Sequence, residues 1–199
     1  MKKIKIAQIG IGHDHALELL HCIVNHTDIF EFVGLAIPES EKVDFARRYE
    51  KVAQYHTLTV EQALDYPGLE AIAIETEELN LTKYTQMAAD RGLHIHMDKP
   101  ASGTLEDYKR LLDLAEEKEL VVQLGYMYRY NPYVIELKEK IKNGEFGDII
   151  SIEAQMNCTH PKETRQWLEN FPGGMMFFLG CHLVDLIYSI QGMPKNIIP

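Results

Sequence analysis

Apolar residues over the first 124 positions fall into short runs separated by stretches of helical periodicity. Ile4 to Ile9 is such a run and stops at Gly10, after which Ala16, Leu17, Leu19, Leu20 and Ile23 recur at the spacing of one helix face. The pattern predicts a strand, a tight turn and a helix. Phe32 to Ala36 predicts a second strand, followed by a helix capped by Ser40 whose inner face is Val43, Phe45 and Ala46. Thr59 is placed to cap a short helix over 60–66. Runs at 71–74 and 94–97 predict two more strands around a helix over 79–91 that stops at Gly92. Thr104 caps a helix over 105–118, before a strand at 121–124. Strands alternating with helices imply parallel pairing through right-handed crossovers, hence an α/β Rossmann-type doubly wound sheet over residues 1–123.

The pattern changes after Leu124. Residues 148–157 alternate, with Ile150, Ile152, Ala154 and Met156 on one face, which predicts a half-solvated strand. Pro161 to Phe171 reads as irregular, and Met175 to Ile190 as one apolar helix ending at Gly192. Residues 124–199 are therefore expected to form an incomplete α+β second domain with an open, largely antiparallel sheet, as in a truncated form of something longer. Its unpaired sheet edge predicts a homo-oligomer.

Composition narrows the function classes. The 199 residues carry 20 Lys plus Arg against 30 Asp plus Glu, a formal net charge of -10, and the basic residues are scattered, which disfavours nucleic acid. The three cysteines, Cys22, Cys158 and Cys181, include no C-x-x-C pair and point to a reducing cytoplasm. No stretch approaches the roughly 18 apolar residues of a membrane span.

Gly10-Ile11-Gly12 lies between the first strand and the first helix, where glycine lets the backbone approach a pyrophosphate and helix N–H groups point at its oxygens. A plain tight turn would also use glycine there. His15 replaces the third glycine of G-x-G-x-x-G. The acidic ribose clamp expected at the end of the second strand is Ile37, with Glu39 two residues later. His13, Asp14 and His15 read as polar turn residues near phosphate, and His94 and His96 send their rings to opposite faces of a strand. No third ligand with metal spacing emerges beside them, so no metal is expected.

Asp98-Lys99-Pro100 closes a strand at the edge where parallel sheets place their ligands. Further on come Gly125-Tyr126-Met127-Tyr128-Arg129-Tyr130-Asn131-Pro132 and Gly180-Cys181-His182-Leu183-Val184-Asp185. In this order the motifs resemble the glucose-fructose oxidoreductase and inositol dehydrogenase (Gfo/Idh/MocA) family, with Asp98 standing for its usual Glu and with G-x-x-x-R-x-x-P and G-x-H-x-x-D elements downstream. The resemblance implies hydride transfer between NAD or NADP and a hydroxyl-bearing carbon of a sugar, polyol or related small molecule. It assigns catalysis to Lys99 and His182. Cofactor contacts then fall to Gly10, Ile11, Gly12, His13, Asp14, His15, Glu39, Thr76, Asp98, Lys99 and Pro100, and substrate contacts to Arg129 and Asp185. On residue type alone, Lys99 also reads as a solvated strand-end lysine and His182 as a satisfied core histidine.

Two departures from the family pattern stand out. Phe178 replaces an aspartate four residues before His182, leaving Asp185 as a possible substitute partner. Thr76-Glu77-Glu78 replaces T-P-N, and its two carboxylates are expected to face water. A non-catalytic dinucleotide-binding or regulatory protein, or an inactive fragment, is the alternative reading.

Overall fold

A computed structural model describes residues 2–198. The chain divides into two compact units, residues 1–125 and 126–199.

The first unit is built on a parallel six-stranded sheet of order β3-β2-β1-β4-β5-β6. Its strands are β1 (Ile4–Ile9), β2 (Phe30–Ala36), β3 (Thr57–Leu58), β4 (Ala71–Ile74), β5 (His94–Met97) and β6 (Val122–Leu124). Interleaved are α1 (Ala16–Asn25), α2 (Glu39–Asp44), α3 (Ala46–Val52), α4 (Val60–Leu64), α5 (Leu81–Asp90) and α6 (Leu105–Glu117). Helices cover both faces. Ile9, Ile72 and Ile74 pack on one side with Ala63 and Leu64 of α4, Ala88 and Ala89 of α5 and Leu111 of α6. On the other side Leu20 of α1, Leu35 and Val52 of α3 form one cluster, and Ile6, Ile23 and Ala73 another. The strand order reverses between β1 and β4, and the loops after β1, β4 and β5 meet at the carboxyl ends beside that switch point.

Thr59 and Thr104 each form a full capping box, with Gln62 and Asp107 returning the bond to the cap residue's backbone N–H. Leu111 and Ala115, one turn apart on α6, bury its inner face. Replacing Thr104 with Ala should cost about 1 kcal/mol of stability, since it leaves the Asp107 N–H without its side-chain acceptor. Urea denaturation would read this as a lower midpoint at unchanged slope.

The segment after β2 differs from expectation. Pro38, not Ser40, precedes the helix, and a break at Phe45 separates α2 from α3. Val43 is 74% exposed, and Ala46 also faces water. The inward positions are Glu41, Phe45, Tyr49 and Val52, spaced as one helix face but opening on a charged residue.

The second unit carries α7 (Pro132–Lys142), α8 (Lys162–Trp167), α9 (Gly174–Phe178) and α10 (Cys181–Gln191). Asn131 caps α7 through its side chain and Pro132 starts it, which accounts for the proline of that motif. The region read as irregular contains α8 and a turn of 3-10 helix at Leu168–Asn170. The single helix expected over 175–190 is two, parted at Gly180, where a Cβ would lie 2.6 Å from the Met176 carbonyl oxygen. The alternating segment 148–157 is neither helix nor strand, and the described residues of this unit contain no strand that could pair with it. The expected antiparallel sheet is therefore not formed within these residues, since a lone strand leaves its backbone donors and acceptors unmatched.

Candidate functional site

The turn after β1 is held from both sides. Gly10 has φ +94°, and a Cβ there would sit 2.4 Å from the Thr76 nitrogen, so the first glycine is required by the close approach of the β4 loop. Arg48 of α3 donates to the carbonyls of Ile11 at 3.1 Å and His13 at 2.7 Å, and also to that of Gly12, while its second nitrogen meets Asp14 at 2.6 Å. The N–H side faces a different partner. Glu41 Oε2 accepts from Ile11 N at 2.7 Å and Gly12 N at 3.1 Å, and its Oε1 accepts from Glu77 N at 2.8 Å.

These are the donors expected to meet a pyrophosphate. A buried carboxyl group of the chain itself occupies them, so these N–H groups converge on one acceptor. Burial pushes the Glu41 pKa above the ordinary carboxylate value, against the three backbone hydrogen bonds that favour its charge. Glu39, the residue expected to reach the ribose, is instead exposed and paired with Lys42 at 3.0 Å.

Around the turn lies a buried ionisable cluster. His13 Nε2 donates to the Lys99 carbonyl at 2.9 Å, and His13 Nδ1 accepts from the His15 amide at 3.2 Å. His15 Nδ1 meets Asp98 Oδ2 at 2.8 Å, and Lys99 N donates to Asp98 Oδ1 at 2.6 Å. Burial lowers the His13 pKa to about 4, so its ring is neutral at physiological pH. His15 is raised, chiefly by its bond to Asp98. Burial alone would raise Asp98, but His15 and His13 hold it below the usual value.

The sequence placed Glu77 and Glu78 in water, yet Glu78 is 5% exposed and burial raises its pKa to about 7. Glu77 is half-buried. Thr76 is buried, its hydroxyl donating to the Glu77 carbonyl at 3.3 Å. Lys99 is 4% exposed at the end of β5, beside Pro100, and so is no solvated strand-end lysine. The structure thus gathers Gly10, Ile11, Gly12, His13, His15, Thr76, Asp98 and Lys99 at one edge of the sheet. Glu41, Arg48 and Glu75 belong with them and were missed. Nothing in the sequence pointed to Glu41, whereas Glu75, directly following the apolar run 71–74, was a signal of its own.

In the second unit His182 is buried, with its ring edge-on to Tyr126 and Tyr128 at centroid distances of 5.9 and 5.2 Å. Asp185, expected as its substitute partner, accepts from Arg129 Nε through both oxygens at 3.0 and 2.8 Å. The two residues expected to meet substrate are therefore bound to each other. Phe178 packs against Trp167 and Phe171 in an aromatic cluster, where a carboxylate would lack a partner.

Residues 4–126 match the GFO_IDH_MocA oxidoreductase family with its NAD-binding Rossmann fold, and residues 134–198 match the GFO/IDH/MocA C-terminal domain. The chain is 25% identical over 195 residues to the uncharacterized oxidoreductase YhhX of Escherichia coli, covering 98% of this chain and 55% of that protein. It is 23% identical over 200 residues to scyllo-inositol 2-dehydrogenase (NADP(+)) IolW of Bacillus subtilis, with 98% and 55% covered. The crystal structure of an NAD-binding protein from Listeria innocua superposes with TM-score 0.77 at 21% identity, over 95% of this chain and 55% of that one. The chain spans about half the length of the curated relatives it matches. With both family domains matched in order on a sheet of the Rossmann strand order, the chain belongs to the Gfo/Idh/MocA family of NAD-binding oxidoreductases.

Proposed function

We propose that this chain carries the dinucleotide-binding portion of an NAD(P)-dependent oxidoreductase that moves a hydride between nicotinamide and a hydroxyl-bearing carbon of a sugar, polyol or related small molecule. The observation that carries this reading is the grip of Ile11 N and Gly12 N on an anion at the β1–β4 switch point. The dinucleotide's pyrophosphate replaces the Glu41 carboxylate on those donors. Bound nicotinamide supplies the hydride acceptor. Lys99, buried at the end of β5, takes the proton from the substrate hydroxyl at Nζ, and His182 serves as a second acid–base group. The substrate class is supported by relatives named for scyllo-inositol and for glucose 6-phosphate. On this reading the protein works in the cytoplasm as a homo-oligomer.

The test is the thermal midpoint of the chain with NAD+ or NADP+ added. A ligand that binds the folded state at about 100 times its Kd adds about 2.7 kcal/mol of stability, so a rise of several degrees is expected with one of the two. No rise with either at millimolar concentration removes the reading. A non-catalytic dinucleotide-binding protein is the second reading, favoured by Phe178 in its aromatic cluster. Cofactor binding without turnover across a panel of polyols and sugars would select it.

A further inference from the structure

We propose that His13, His15 and Asp98, with Glu75 beside them, form a binding site for one divalent transition-metal ion of the zinc class, at the carboxyl edge of the sheet. The inference goes beyond the dinucleotide reading and stands without it. One ligand atom from each of His13, His15 and Asp98 lies within 4.8 Å of the other two. His13 Nδ1 is 3.2 Å from Asp98 Oδ2 and 3.7 Å from Glu75 Oε2, and His15 Nδ1 is 2.8 Å from Asp98 Oδ2. Four ligands at roughly 2.0–2.1 Å from a tetrahedral ion are about 3.3 Å apart. The His13–Asp98 and His15–Asp98 separations, 3.2 and 2.8 Å, lie near that edge.

The surrounding bonds orient these groups as ligands. The His13 Nε2–H is committed to the Lys99 carbonyl, so the lone pair lies on Nδ1, the nitrogen that faces the two carboxylates. Metal-binding histidines are commonly fixed this way, through the other ring nitrogen and a backbone carbonyl. Asp98 is anchored through Oδ1 by the Lys99 amide, which turns Oδ2 inward. Glu75 is fully buried, and neither of its carboxylate oxygens receives a hydrogen bond. The nearest ring nitrogens stand off at 3.5 Å, from His96, and 3.7 Å, from His13.

Hydrogen bonds satisfy this cluster only in part: the His13 Nδ1 lone pair faces Asp98 Oδ2, an acceptor, and Glu75, whose pKa burial pushes up to about 7. The His15 amide competes for that lone pair only through a bond of 3.2 Å, at the long end of the range. A cation held by His13 Nδ1, His15 Nδ1 and Asp98 Oδ2 satisfies all three, and Glu75, 3.7 Å from His13 Nδ1, adds negative charge beside it. Lys99 opposes it electrostatically, while Glu78 Oε1, 3.9 Å from His13 Nε2, acts in its favour. Two imidazoles and one carboxylate, with no thiolate, suit Zn2+ or Co2+ better than Mg2+ or Ca2+. His15, 41% exposed, gives the ion its way in.

The experiment titrates Zn2+ into chelator-treated full chain by calorimetry, with Co2+ absorption reporting four-coordinate geometry. One ion per chain is expected, together with a raised thermal midpoint. His15→Ala and Glu75→Gln should each weaken Zn2+ at least tenfold. His15→Ala changes a half-exposed side chain and keeps the test valid if Glu75→Gln fails to fold. Cys158→Ser should change nothing, although Cys158 Sγ lies 3.2 Å from His160 Nε2 in the other unit and could hold an adventitious ion. Absence of saturable Zn2+ binding, or wild-type affinity in His15→Ala, overturns the proposal.

Discussion

Replacing Lys99 with methionine should lower turnover by about 10²- to 10⁴-fold, the usual effect of losing one general acid–base group, while dinucleotide binding persists. The argument rests on where the side chain sits. Lys99 is 4% exposed, and methionine keeps an unbranched stem of similar volume while removing only Nζ. The contacts that shape the turn survive, because His13 and Asp98 engage the Lys99 main chain through its carbonyl and its amide. The loss should therefore fall on kcat, with KM for the dinucleotide little changed. Steady-state kinetics with the best sugar or polyol substrate, alongside the NAD(P)-induced thermal shift, separates the two. Unchanged turnover in Lys99→Met would remove lysine from the chemistry and leave the fold assignment standing.

Local signals in the sequence were sufficient wherever a residue's partner lay a few positions away. The capping boxes at Thr59 and Thr104, the strand 94–97 and the stop at Gly92, whose φ is +72°, are all of this kind. The parallel, doubly wound sheet followed from alternation and chirality rules. What failed depended on distant partners. The alternation at 148–157 describes a strand's two faces but cannot supply a neighbouring strand, and Ile150 is 96% exposed here. The apolar run 175–190 hid a break, because periodicity is blind to the closeness of Gly180 to Met176. His13 and His15 meet Asp98 only through folding, across more than 80 positions. Val43 looked like a core residue but faces water, because the inward helix face carries Glu41, whose carboxyl accepts from the turn.

Glu41 also fixes the second large effect, since replacing it with alanine should tighten NAD+ or NADP+ binding by about 10- to 100-fold. In the wild type, pyrophosphate must displace a carboxylate that accepts from Ile11 N, Gly12 N and Glu77 N. Hydrogen bonds to a charged group contribute about 1.5–3 kcal/mol each, but desolvation of Glu41 cancels a large part of that sum. A net displacement cost of about 1.4–2.8 kcal/mol corresponds to the stated range. The sign of the pH dependence follows from the raised pKa of Glu41. Protonation removes the charge that holds these donors and repels phosphate, so wild-type affinity should increase as pH falls towards that raised value. Folding stability contributed by the group has the same direction, present below the unfolded pKa and lost as pH rises through the folded one. Glu41→Ala should be both tighter and flatter with pH in this range. Calorimetric titration at several pH values measures both. Equal affinity in the two proteins would mean that pyrophosphate does not use the donors Glu41 holds, whereas weaker binding in the variant would make Glu41 part of the cofactor site itself.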